Sequence, residues 1–402
     1  MSAFYLFNLQ MNRIGLVLAL LLPILANAGD WPNWRGPNYD GVSRERLPDD
    51  LPEKLPVLWR AQVGIGFSSV SVAGNRVLTM GNRKGTDTIH CLDARTGETI
   101  WRHDYPCELD PRYYEGGPSA TPTIHEGSVY TLSKKGHVFC LRLANGEVDW
   151  QRQLTKDYGF ELPEWSFASS PVIDGDLLLL NVGREGTALS RHNGKTLWKP
   201  SLQTAGYASF VPFAHRDSTH VLFSAKALLG INAVDGKVTW SHPRPSSRDV
   251  NAADPIVIGD RVLVSSSKGT ELLEIGKEPN PIWNQRGLRW YFNAGVLVDQ
   301  HLYSISGTTH RPTQLVCTSL ATGEKIWSED GFGSGALMAA RDKLILFDKG
   351  TLTIFKANPD KFDLVHRQQI MTGKCWTVPI LANGRVYCRN AAGDLACLAL
   401  RE

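Results

Sequence analysis

The chain has 402 residues and almost no net charge. Forty-three Lys and Arg against 40 Asp and Glu leave +3, too little to argue for a nucleic-acid surface or a polybasic membrane patch. Its seven cysteines form no Cys-x-x-Cys, no Cys-x-x-Cys-His and no adjacent pair, so neither a metal ribbon, covalent c-type haem nor a vicinal disulfide is encoded. No Gly-x-Ser-x-Gly, Walker loop or His-Glu-x-x-His occurs. Gly331-Phe332-Gly333-Ser334-Gly335-Ala336 has the glycine spacing of a dinucleotide fingerprint, but no helical pattern follows it. Long apolar runs are missing too, with one exception from Ile14 to Leu25. That run is too short to cross a bilayer comfortably. With Met11-Asn12-Arg13 before it and Ala26-Asn27-Ala28 after it, it reads as an export signal over residues 1–28, with Met11 as an alternative start. Cleavage after Ala28 would place the mature chain in the periplasm or outside the cell. No cysteine follows that site, so a lipoprotein is not expected.

What the sequence does have is tryptophan, on a beat. Trp59, Trp101, Trp150, Trp198, Trp240, Trp283 and Trp327 are separated by 42, 49, 48, 42, 43 and 44 residues. Gly97, Gly146, Gly194, Gly236 and Gly323 each stand four residues before one of them. A period in this range is the signature of stacked supersecondary units. Each unit also carries an earlier phrase, as in Ser170-Pro171-Val172-Ile173-Asp174-Gly175-Asp176-Leu177 and Val378-Pro379-Ile380-Leu381-Ala382-Asn383-Gly384-Arg385-Val386. There, two β runs are joined by residues that tolerate the positive φ of a tight turn. A third run and a turn lead to a fourth run ending at Trp. Four antiparallel strands per unit make the blade of a β-propeller.

Counting the units gives eight blades. The fourth strand of the seventh, Phe362 to Arg367, has His366 where Trp is expected. Residues 376–400 supply only three strands of the eighth, while Val57-Leu58-Trp59-Arg60 stands alone before the first. The economical solution pairs the N-terminal strand with the C-terminal blade and leaves no open edge. The division expected is residues 1–28 as signal, 29–54 as an extended segment and 55–402 as one all-β, eight-bladed propeller. The repeat tryptophans are expected to fill the wedge between blades, with the indole N–H on a backbone carbonyl. Cys91, Cys140, Cys317 and Cys397 fall at one repeat position, too far apart to bridge each other. Cys388 and Cys397 flank Ala391-Ala392-Gly393-Asp394 symmetrically, which predicts two thiols facing each other across a hairpin.

These phrases resemble the pyrroloquinoline-quinone (PQQ)-like propeller repeat. Leu92-Asp93-Ala94-Arg95-Thr96-Gly97-Glu98-Thr99-Ile100-Trp101 is similar to that family's docking motif, and the likeness runs over residues 55–400. Trp31-Pro32-Asn33-Trp34-Arg35-Gly36-Pro37 resembles the start of a secreted bacterial subgroup. The resemblance implies one of two roles. A BamB-like scaffold binds a protein partner without catalysis; a quinoprotein dehydrogenase holds PQQ and calcium over the channel. The adjacent cysteine pair used by many such dehydrogenases and the lipobox cysteine of BamB are both missing here.

The channel mouth is where propellers hold ligands, and the loops that build it can be read off. They offer Arg112, Tyr113 and Tyr114; Trp165; Arg248 and Asn251; Arg289, Trp290 and Tyr291; and Lys374 and Trp376. Arginine beside aromatics on loops is the composition of a recognition surface for a protein partner or an anionic or planar ligand. The competing use of these aromatics is to plug the mouth as a satellite core. Asp254, at the start of an inner strand, is the one candidate base or calcium ligand, or else the ion-pair partner of Arg248. The reading is a secreted or periplasmic non-enzymatic propeller, monomeric, with no resident cofactor or metal. The alternatives are a PQQ- and calcium-dependent oxidoreductase and, from exposed aromatics alone, a carbohydrate-binding module.

Overall fold

The computed structural model describes residues 29–401 apart from 160, 247–249, 309 and 310. The export-signal reading on residues 1–28 and the candidate Arg248 lie outside the described residues. No helix among the described residues is long and apolar enough to cross a membrane.

Eight antiparallel sheets follow one another along the chain, each ordered from an inner to an outer strand. The first blade comprises Ser71–Ala73, Arg76–Arg83, Thr86–Asp93 and Thr99–Pro106. Alternation of side chains along each strand sends one set into each inter-blade wedge, and both faces are apolar because every blade packs on two neighbours. The eighth blade is closed as the orphan strand predicts. Val57–Gln62 pairs antiparallel with Asp394–Ala399, with Trp59 opposite Cys397. A second clasp reinforces this seam. Arg389 of the last blade is buried and its guanidinium donates to Thr79 Oγ1 (2.7 Å) and the Gly64 carbonyl (3.0 Å) beside the first blade. Burial without a carboxylate partner pushes its pKa down to about 9.

The tryptophan beat has a concrete geometry. Each Trp sits after a bulge on the outer strand, opposite a small or apolar residue of the third: Cys91 for Trp101, Cys140 for Trp150, Cys317 for Trp327. His366, opposite Ile354, takes the same place in blade seven. The indole N–H then reaches a carbonyl of the next blade, as Trp59 does to Ala94 (3.0 Å), Trp101 to Leu143 (2.9 Å) and Trp198 to Ala233 (2.8 Å). Trp150, Trp283 and Trp327 donate likewise to Arg191, Leu320 and Asn358. The repeat glycine is the shelf under the preceding blade's indole. A β-carbon at Gly97 would stand 2.6 Å from the Trp59 ring, and one at Gly146 would stand 2.6 Å from Trp101.

Trp240 departs from this pattern. The following blade has Pro279 where the glycine shelf should be, and Trp240 stands opposite Gly230 rather than a larger residue. Its ring settles over its own blade instead, so that a β-carbon on Gly230 would meet Nε1 at 2.2 Å. Trp240 is buried and its N–H finds no acceptor.

The hairpin expectation for Cys388 and Cys397 is corrected by one residue. Cys388 faces Ala396, and Cys397 faces Tyr387. The turn closes between Asn390 and Asp394, Asn390 N–H donating to the Asp394 carbonyl, so its axis lies half a residue from the one assumed. Side chains on adjacent positions of a strand point to opposite faces, and all seven cysteines are free and buried. The equivalent register in blade two puts Tyr130 opposite Cys140. The small cysteine then lets tyrosine and tryptophan rings approach across it: Tyr130–Trp150 at 6.3 Å, Tyr303–Trp327 at 6.1 Å and Tyr387–Trp59 at 5.9 Å.

The N-terminal segment threads the channel. Gly29 accepts from Asn383 N–H of blade eight, Trp31 pairs with Val72 of blade one, and the Pro32 carbonyl accepts from Ile124 of blade two. Val42–Ser43 then adds a parallel strand to the inner edge of blade seven, with Val42 opposite Ala339. Inner-strand N–H and C=O groups that would face the channel are thereby satisfied.

Candidate functional site

In each blade the first strand runs from the inter-blade loops towards the strand 1–2 turn. Loops and strand 2–3 turns therefore share one end of the ring. The N-terminal segment enters from the other end, where Gly29 meets the turn at Asn383. Between them lies a cavity of about 740 Å³, a cup opening among the loops. Its floor is Trp34 and Asp254; its walls include Phe67, Tyr114, Trp165, Tyr207, Tyr291, Phe292 and Trp376. The wall rings run in contact, Phe67 on Trp376 (5.3 Å), Trp376 on Phe292 (4.7 Å), Phe292 on Tyr291 (4.5 Å). Trp165 meets Tyr207 edge-on at 6.0 Å. Tyr113 stands at the lip, 87% exposed.

Cations hold the rim. Lys374 lies over Trp376, 4.4 Å from the ring centre, and pairs with Glu115 at 2.8 Å. Arg112 and Lys135 both reach Asp110, at 3.3 and 2.9 Å. The hydrogen bond from Lys135 is the main reason that the Asp110 pKa falls to about 2.

Asp254 belongs to a belt that passes from blade to blade just above the floor. Ser69 N–H donates to Thr121 Oγ1 (3.1 Å), Thr121 N–H to Ser170 Oγ (2.9 Å) and Ser170 N–H to Ser209 Oγ (2.9 Å). Ser209 N–H ends the relay on Asp254 Oδ1 at 2.7 Å. Ser209 therefore holds this place in blade four. The other carboxylate oxygen accepts the Trp34 indole N–H. Burial raises the Asp254 pKa, and Arg35, Ser209 N–H and Trp34 oppose that rise. Arg35 is buried beneath, donating to the carbonyls of Gly295 (3.0 Å) and Asp40 (2.8 Å). Among the described residues the charge that acts on Asp254 is Arg35, and both carboxylate oxygens are engaged; the expected pairing with Arg248 lies outside the described residues.

Of the loop candidates, Arg112, Tyr113, Tyr114, Trp165, Tyr291, Lys374 and Trp376 are brought together around the cup. Three are not. Trp290 is 1% exposed and packs with Ile256, Leu263, Leu272 and Leu302 between blades five and six. Its backbone N–H is drawn inward to Ser265 Oγ at 2.9 Å. Asn251 is fully buried, its amide donating to the carbonyls of Ser224 (2.9 Å) and Ala225 (3.0 Å), which pins the loop to blade four. Arg289 lies away from the cup lining, its N–H on Ser306 Oγ (3.2 Å). Conversely, Trp34, Phe67 and Tyr207 line the cup and were not among the loop candidates. The aromatic-rich stretch Trp31-Pro32-Asn33-Trp34, outside any repeat, was the available signal for Trp34.

A calcium-bound quinone does not fit this floor. Both Asp254 oxygens carry hydrogen bonds, Arg35 adds an opposing positive charge, and no group of three or more His, Cys, Asp or Glu side chains that could hold a metal ion occurs among the described residues.

Fold and cup together define a PQQ-like repeat propeller with a floored, aromatic-walled mouth. The family model described as "Outer membrane protein assembly factor BamB" matches residues 85–329, and the chain belongs to that family. Among curated relatives, BamB of Moranella endobia (strain PCIT) is 28% identical over 151 residues, covering 37% of this chain and 35% of that protein. BamB of Salmonella typhimurium is 25% identical over 189 residues, covering 43% and 42%. The matched stretches thus span well under half of either relative. The crystal structure of BamB from Moraxella catarrhalis superposes with a TM-score of 0.63 at 14% identity, over 86% of this chain and 98% of that one. A quinohemoprotein alcohol dehydrogenase from Comamonas testosteroni gives 0.70 at 12% identity, over 92% and 80%. Identities this low establish the shared fold alone.

Proposed function

We propose that this protein is an exported, non-enzymatic propeller scaffold that holds a partner protein at the cup. The cup itself carries the reading: nine aromatic side chains and two rim cations line it, while its one carboxylate is spent on the belt and on Trp34. Aromatic and arginine side chains around a partly desolvated pocket are the anchors of protein interfaces. The relatives named as outer membrane protein assembly factors support a scaffold role, and the signal-like N-terminus supports the periplasm as the place of work. Partner capture would use the preformed rim, with the rigid ring supplying low reorganisation cost.

A photo-crosslinking residue at position 113 tests this in producing cells. Its control is position 234, where Val234 is 73% exposed on a turn at the opposite end. The expected result is a discrete adduct from 113 alone, lost when Phe292→Ala and Trp376→Ala are combined. Adducts of equal yield from both positions, or from neither, would overturn the proposal.

A further inference from the structure

The near-zero net charge conceals a concentration of cations on one set of turns. At the end opposite the cup, the strand 1–2 turns are mixed: Glu126, Asp176, Asp217, Asp260, Asp299 and Asp342 share them with Arg76, Arg216, Arg261, Arg341 and Arg385. Turn geometry accounts for much of this, since Asp tolerates the conformations such turns need. The strand 2–3 turns at the cup end are different. There the chain places Lys84, Lys135, Arg184, Lys226, Lys268 and Lys349, and no turn type asks for a long cation. Glycine follows four of them directly, at Gly85, Gly136, Gly269 and Gly350, all at positive φ, and Lys84 and Lys349 themselves stand at φ 53° and 48°, where Asn, Asp or Gly would be the favoured choice.

Some of this charge is spent locally. Lys135 is held by Asp110 at 2.9 Å and Arg184 by Glu185 at 3.1 Å. Carboxylates at Glu161, Glu164, Glu329 and Asp330 break the basic ring between blades two and three and between blades six and seven. Lys84, Lys268 and Lys349 are exposed and make no ion pair within 4.0 Å among the described residues. Beside the cup, Lys134 adds a buried ammonium 5.2 Å from the Tyr114 ring centre.

We propose that the occupant of this face is an acidic polypeptide segment that lodges an aromatic side chain in the cup and lays flanking carboxylates on the basic turns. This rests on the proposed function, because it names the chemistry of the partner held there. The cup supplies stacking faces from Phe67, Phe292 and Trp376. Its hydroxyls also retain donors: Ser170 and Ser209 accept from the belt through Oγ, which leaves each O–H able to donate to a peptide carbonyl. The turns supply charge that steers the segment and is screened by salt.

The test uses the full mature chain and a fluorescein-labelled Gly-Glu-Glu-Phe-Glu-Glu-Gly peptide, read by anisotropy. Saturable binding is expected, weakened about tenfold when Lys268→Glu and Lys349→Glu are combined, a loss of about 1.4 kcal/mol. Changing the peptide's Phe to Ser, or combining Phe292→Ala with Trp376→Ala in the protein, should also weaken it. Thermal melts of both double variants keep the reading independent of unfolding. Equal binding of a peptide with Lys in place of Glu would overturn the charge argument. Equal binding of vesicles rich in phosphatidylglycerol, lost in the same variants, would overturn the polypeptide assignment in favour of a membrane. If position 113 crosslinks a partner while no acidic peptide binds, this inference fails and the scaffold reading stands. If neither occurs, both fail.

Discussion

The two ends of the central channel are finished by different means. At the lower end the N-terminal segment joins the sheets, with Trp31 paired to Val72 and Val42 to Ala339, so backbone satisfies backbone. At the upper end backbone pairing is confined to the loop bases, as between Ile65 and Asn82; the mouth itself is walled by side chains from loops of several blades. Backbone pairing is tolerant of what the side chains are, whereas a side-chain wall is a chemical statement. The contrast separates what the ring needs in order to stand from what it presents to other molecules. Asp254 marks the border, belonging to the floor although it faces the cup.

The sharpest way to break the contrast is to break the ring beneath both ends. Deleting Leu55 to Ala61 removes the strand opposite Asp394–Ala399 and exposes a sheet edge together with an inter-blade face. Aggregation or loss of a cooperative melt is expected; a truncated protein that melts like the full chain would refute closure by this strand. A smaller effect comes from the docks. Trp101→Ala should cost about 3–5 kcal/mol in chemical denaturation, as for other buried aromatics. Trp240→Ala should cost about 1 kcal/mol less, since no indole hydrogen bond is lost there. Equal costs would contradict the displaced position of Trp240.

Floor and lip can then be compared directly. Trp34→Phe leaves a buried carboxylate oxygen of Asp254 without its donor and should cost about 1–3 kcal/mol. Tyr113→Ala, at the exposed lip, should stay within about 0.5 kcal/mol of the parent. A change of a different kind follows from pH. Burial is the main reason that the pKa values of both His90 and His220 fall to about 4, against about 6.5 in an unfolded chain. Between these values the unfolded chain binds more protons, so this contribution is fully present above pH 6.5 and is lost as pH falls towards 4. Melts from pH 7.5 to 5.0 should show the decline, and His90→Gln with His220→Gln should flatten it.

Much of the ring was legible because its signals repeat. Seven tryptophans, four equivalent cysteines and an unpaired strand at Trp59 fixed the blade count and the closure without knowledge of any contact. What failed to read was everything unrepeated. The Trp290 ring turns inward and the neighbouring Tyr291 lines the cup, and a loop has no periodicity to distinguish them. The Trp34–Asp254 bond joins positions far apart in the chain with no pattern linking them. The Cys388 register was lost to a turn whose axis was placed half a residue too late. Trp240 was legible in principle, since Pro279 stands where five other units have glycine.

The identity of the floor is the point on which the whole reading turns. Purified protein would be incubated with PQQ and calcium, freed of unbound quinone and read by visible absorbance. With Asp254 already engaged by Trp34 and Ser209, the expected result is no stoichiometric retention. Calcium-dependent retention of one quinone per chain, abolished by Asp254→Asn, would contradict it and make the cup a cofactor seat.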